Sequence, residues 1–135
     1  MTVHEIEKAI RLFFEKTSHI VSVTLFGSYA RKTANKQSDV DVAVLFEQTH
    51  IPKTESLLAL REELSNVLRK DVDLICLNTV SPIVGMQAYN DGRSILLNDT
   101  RKYADYQMSL FSDYAELKEL RAPMEKDILK RKFYD

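Results

Sequence analysis

The sequence predicts an α/β fold, a small mixed sheet with helices mainly on one face, and three observations carry that expectation. Apolar residues recur at helical and strand periods in the order helix, strand, strand, helix, strand, helix, strand, with a last helix behind them. Cap and turn residues stand where the period changes: Thr2, Gly27-Ser28, Pro52, Ser81-Pro82 and Asp99-Thr100. The 135 residues show no repeat, low-complexity tract or flexible linker, and 44% of them are hydrophobic, enough for one packed core. Residues 1–100 read as the domain proper. Residues 101–135 read as a helical extension, part of the same domain or a surface for a partner.

Each element has its own justification. Thr2 with Glu5 three residues on is a capping box, and Ile6, Ala9, Ile10, Phe13 and Phe14 follow at helical spacing, so residues 3–16 form a helix. His19 to Phe26 is β-branched and alternating, a strand that stops at Gly27-Ser28. Asp39 to Phe46 is a second strand, with Val40, Val42 and Val44 on one face and Asp39, Asp41, Ala43 and Leu45 on the other. Leucines among Glu and Arg make 54–70 a helix, and Asp71 to Leu77 a third strand. Ser81 caps a helix that starts on Pro82 and ends near Asp91-Gly92, and Arg93 to Leu97 is a short fourth strand. The last helix begins after Thr100 and is interrupted at Pro123, beyond which the tail is basic.

Nineteen Lys and Arg against twenty Asp and Glu leave a net charge of −1, which argues against direct nucleic-acid binding through bulk charge. The single cysteine, Cys76, excludes an intrachain disulfide and fits a cytoplasmic protein. No membrane span is expected, because the longest uncharged stretch, residues 74–90, is broken by Asn78, Ser81, Pro82, Gly85 and Gln87.

The chemistry concentrates between the first two strands, in Gly27-Ser28-Tyr29-Ala30-Arg31 and on to Ser38-Asp39-Val40-Asp41. Gly27 permits a sharp turn and close approach of a ligand, and the backbone N–H groups of a short helix starting there suit phosphate oxygens. Ser28 adds a hydroxyl, and Arg31, Lys32 and Lys36 add positive charge. Asp39 and Asp41 leave the same face of a strand, with Cα atoms roughly 6.5–7 Å apart. Two such carboxylates repel unless a cation lies between them, and Mg²⁺ binds through one or two carboxylates plus substrate phosphates. A third acid waits on the next strand: Asp73 completes a three-carboxylate site if that strand lies beside the second, with Asp71 as the competitor. Two metals about 3.5–4 Å apart could then clamp the attacking and leaving oxygens of an in-line displacement.

The pattern Gly-Ser, ten residues, Asp-x-Asp resembles the signature of the DNA polymerase β-like nucleotidyltransferases, over about residues 20 to 77. In length the chain resembles their minimal branch, which serves as antitoxin to HEPN-domain ribonuclease toxins. The resemblance implies a polymerase β palm, ATP as substrate, and a two-metal Mg²⁺ site on Asp39, Asp41 and Asp73. It implies that Gly27 and Ser28 hold the triphosphate, with Arg31 and Ser38 as further nucleotide contacts. The implied reaction moves AMP from ATP to a tyrosine of the partner toxin, releases pyrophosphate and silences the ribonuclease within a hetero-oligomeric complex. Two alternatives stand beside it: transfer to a small-molecule hydroxyl, as in enzymes that inactivate aminoglycosides, and a non-catalytic antitoxin acting by occlusion. Lys32 stands where many relatives have glycine.

Other residues carry blander readings. His4, His19 and His50 are scattered and show no metal-ligand spacing. Cys76 reads as core filler. The apolar and aromatic stripe from Tyr103 to Leu120 either packs on the domain's own sheet or faces a partner.

Overall fold

The computed structural model describes residues 1–134, with side chains through residue 121. Helix α1 (Val3–Glu15) starts on the Thr2–Glu5 capping box, and Ile6, Ile10 and Phe14 form its fully buried stripe. Burying each of those side chains contributes roughly 1.5–3 kcal/mol. Strand β1 (Ile20–Phe26) leads directly into α2 (Gly27–Arg31), and β2 (Val40–Phe46) is followed by a 3₁₀ turn at Gln48–His50. Then come α3 (Thr54–Leu68), β3 (Val72–Cys76), α4 (Pro82–Asp91), β4 (Arg93–Leu97) and α5 (Thr100–Tyr134). Ser81 Oγ accepts a hydrogen bond from Val84 N at the start of α4, the cap its sequence predicts.

The four strands run in the order β3-β2-β1-β4. β1 is antiparallel to both β2 and β4, and β2 is parallel to β3 through the crossover helix α3, so the sheet is mixed as expected. β2 is buried on both faces. Val40, Val42 and Val44 join Val23, Leu25 and Leu74 in a core covered by α1 and α3. Ala43 and Leu45 join Val21, Phe26 and Leu77 on the other face, where Ala88 of α4 and Tyr103 and Tyr106 of α5 cover them.

The expectation of helices mainly on one face is therefore corrected: α1 and α3 take one face, α4 and the start of α5 the other. Apolar residues on both faces of β2 require cover on both sides. The aromatic stripe of α5 divides accordingly. Tyr103, Tyr106 and Leu110 pack inward, whereas Met108, Phe111 and Leu120 are exposed. The helix also continues past Pro123, where the sequence predicts an interruption. A proline there removes one N–H donor, a local loss that the rest of a 35-residue helix outlasts. No helix among the described residues is long and apolar enough to cross a membrane.

Candidate active site

The turn that builds the site is dictated by Gly27. Its φ of +73° lies in the left-handed region, and a Cβ there would come within 2.9 Å of the Asp41 carboxylate carbon and collide with its Oδ2. Only glycine combines that backbone with so close an approach of the acid. α2 then turns away, its N-terminus capped by no side chain because the cap position is Phe26. Lys32 closes α2 in the left-handed conformation, φ 61° and ψ 33°, with its N–H bonded back to Ser28 and Tyr29 carbonyls. That is the place where glycine serves best, so Lys32→Gly is expected to stabilise the fold by about 1 kcal/mol. A urea unfolding midpoint no higher than the parent's would show that the lysine side chain offsets the strain.

Parallel pairing of β2 with β3 sets Asp41 directly opposite Asp73. Neighbouring strands lie about 4.8 Å apart, so the two carboxylates share one end of the sheet. Asp39 stands just before β2, where Val40 N donates to Asp71 O at 2.9 Å. The Asp41 carboxyl is raised above its ordinary 3.8, first by partial burial, then by the charges of Asp73 and Asp39, with Arg31 opposing. The three acids are thus one electrostatic unit. A raised folded-state value means that the native chain holds the Asp41 proton more tightly than the unfolded chain. Stability accordingly falls as pH rises from near 3.8 through the raised value, and the cost is complete at neutral pH. Asp41→Asn removes that cost and is expected to unfold at a higher temperature than the parent at pH 7 without divalent cations. A calorimetric midpoint at or below the parent's would contradict this.

The remaining predicted site residues are placed as follows. Ser28 is half-buried in the first turn of α2. Arg31 leaves the C-terminal end of α2 and pairs with Asp91 Oδ2 at 2.8 Å, tying α2 to α4 while still acting on Asp41. Ser38 Oγ accepts from Asn35 N at 2.9 Å and, with Asn35 Oδ1 accepting from Gln37 N, braces the 35–38 loop. Asp71 is exposed, and its carbonyl serves the β2–β3 junction.

Asp39, Asp71 and Asp73 also line an open cleft of about 350 Å³ with Arg61 and Glu62 of α3. An adjoining cavity of about 450 Å³ reaches Lys36, Arg69 and Lys70. Sequence reading missed this basic rim, because Arg61, Arg69 and Lys70 come from α3 and its end, far from the motif. It also missed Asp91. An acid in the last turn of a helix opposes the helix dipole, which was the available signal of an outside partner.

The donor set fits a hard divalent cation. Asp39, Asp41 and Asp73 offer carboxylate oxygens alone, at a place where mutual repulsion already acts on Asp41. With an uncapped helix start beside them, they could hold the metal and phosphates of a nucleotide together.

A mixed sheet carrying a Gly-Ser turn at the end of β1, with acids just before and on β2 and on the neighbouring β3, defines a nucleotidyltransferase of the palm type. The comparisons agree: the Polymerase beta, Nucleotidyltransferase family matches residues 8–101, and the chain belongs to that family. Protein adenylyltransferase MntA of Shewanella oneidensis is 32% identical over 90 residues, which cover 65% of this chain and 62% of that relative's length. Among solved structures, a toxin–antitoxin with AMP-PNP aligns with a TM-score of 0.81 at 24% identity, covering 91% of this chain and 98% of that one. A tri-AMPylated Shewanella oneidensis HEPN toxin in complex with MNT antitoxin aligns with a TM-score of 0.75 at 23% identity, covering 96% and 99%. These likenesses share the fold over nearly the whole chain.

Proposed function

We propose that this chain is a cytoplasmic antitoxin and Mg²⁺-dependent protein adenylyltransferase that moves AMP from ATP to a tyrosine of a HEPN-domain toxin. The observation that carries this reading is the register of Asp41 with Asp73 beside the Gly27 turn. The acceptor class is supported by similarity to MntA and to structures of AMPylated toxin with antitoxin.

In this reading the first N–H groups of α2 and the Ser28 hydroxyl take oxygens of the triphosphate. Arg31 is a nearby counter-charge, and Ser38 keeps the following loop in shape. Asp39, Asp41 and Asp73 hold the Mg²⁺ site, which when filled neutralises phosphate charge and stabilises departing pyrophosphate. Asp73, exposed at the sheet edge, orients the acceptor hydroxyl and takes its proton. The acceptor oxygen bonds to the α-phosphorus as the bond to the bridging α–β oxygen breaks, and pyrophosphate leaves. The protein's part is positioning and charge, as expected for phosphoryl chemistry. Residues 1–100 form the catalytic body, and the outer part of α5, with Met108 and Phe111 exposed, is offered to the toxin.

The test is intact mass spectrometry of the protein encoded next to this chain, after incubation with this chain, ATP and Mg²⁺. A gain of one or more AMP units is expected. A stable complex with no mass gain would replace transfer by occlusion.

A further inference from the structure

The end of the sheet opposite the carboxylates gathers a second set of metal-binding side chains. His19 precedes β1, Glu47 follows β2, and His50 closes the 3₁₀ turn, so scattered sequence positions meet where β1 begins and β2 ends. One donor atom from each lies within 4.8 Å of those of the other two. The two imidazoles are stacked, centroids 3.4 Å apart and planes 4° from parallel, and His19 Nδ1 lies 3.3 Å from Glu47 Oε2. All of β1, six strand rises of about 3.3 Å each or about 20 Å, lies between this cluster and Gly27.

Three further features favour a ligand set over a chance meeting. His19 sits in the left-handed region at φ 65°, a costly conformation for a non-glycine residue, and its carbonyl is fixed by a 3.0 Å bond from Glu47 N. The Thr49 hydroxyl lies 2.8 Å from His50 Nδ1, which leaves His50 Nε2 for a metal and would make this the outer-sphere contact metal-bound imidazoles generally have. Lys102 Nζ of α5 lies 3.4 Å from Glu47 Oε1 and holds the carboxylate beside the rings.

We propose that His19, Glu47 and His50 bind one borderline divalent transition metal of the Zn²⁺ class, leaving the fourth position to water. Two imidazoles and one carboxylate suit Zn²⁺, Co²⁺ or Ni²⁺ and not Mg²⁺, which seeks oxygen donors, so the two ends of the sheet select different ions. Tetrahedral ligands at 2.0–2.1 Å from Zn²⁺ lie about 3.3 Å apart, so the rings swing from their stack to converge on the ion. Bound there, the metal clips the entry of β1 to the exit of β2 and draws Glu47 from Lys102. The site rests on the fold alone and is independent of the reading of the active site.

Titration of the tag-free full-length chain with Co²⁺ and with Zn²⁺, followed by visible absorption and calorimetry, tests the proposal. The parent and an Asp39→Asn, Asp41→Asn variant should each bind one equivalent at this site, with a rise in unfolding temperature. His50→Ala and His19→Asn should lose it, asparagine being chosen because it tolerates the left-handed backbone. Thr49→Ala should bind roughly 10–100-fold more weakly, the usual cost of an outer-sphere contact. Excess Mg²⁺ should not displace the ion. Absence of binding, or binding that survives both histidine changes and disappears with the aspartates, would overturn the proposal.

Discussion

Replacing both Asp39 and Asp41 with Asn is expected to lower the proposed AMP transfer by at least about 10³-fold, while the fold and binding to the proposed toxin persist. Stabilising the charge that develops at a reacting phosphorus is a major source of rate, and loss of even one preorganised partner typically costs about 10²–10³-fold. Two of the three carboxylates that would hold the metal in the proposed reaction disappear, so neither its charge nor its position would survive. Stability should not suffer, because the burial and repulsion acting on Asp41 are relieved by the amide. The measurement is the rate of mass gain on the acceptor, read beside the unfolding temperature of the same preparation. Transfer within tenfold of the parent would remove the carboxylates from the mechanism.

Gly27→Ala is the second change with a large expected effect, and its cause is steric. The residue holds φ +73°, where an L side chain costs roughly 1–2 kcal/mol. The added methyl would also displace the Asp41 carboxylate, whose carbon lies 2.9 Å from where the new Cβ would stand, or push α2 outward. Either movement separates the Gly27 turn from the acids, and a 1 Å misplacement can cost about 10²-fold in rate. The variant should unfold earlier and transfer AMP about 10²-fold more slowly. Parental activity in a folded Gly27→Ala chain would show that the turn and the acids do not act together.

Most of the frame was legible because local chemistry marks it. The Thr2–Glu5 box, the Ser81-Pro82 start and the stop at Gly27 each announce a boundary through a backbone requirement, and all three stand where expected. Alternation placed Val40, Val42 and Val44 together on one face of β2, and placing Asp73 on a strand made its pairing with Asp41 foreseeable. What the sequence hid depends on contacts between distant segments. The second helical layer was hidden because α4 and α5 alternate weakly, their inward residues Ala88, Tyr103 and Tyr106 sitting among polar neighbours. The partnership of Arg31 with Asp91 and the stacking of His19 on His50 span loops whose path no local pattern encodes. The continuity of α5 through Pro123 was missed because proline propensity is a local cost that a long helix can override.

The parallel ladder between β2 and β3 has a consequence in time. Its two strands are separated by the whole of α3, so pairing them requires the crossover to close, which is slow beside a hairpin. Asp41 and Asp73 become neighbours only at that event. A chain still emerging from the ribosome carries the Gly27 turn and two of the acids before the third has been synthesised. In the proposed reaction, catalytic competence is thus a late event in the life of each molecule, and activity would report that the crossover has closed.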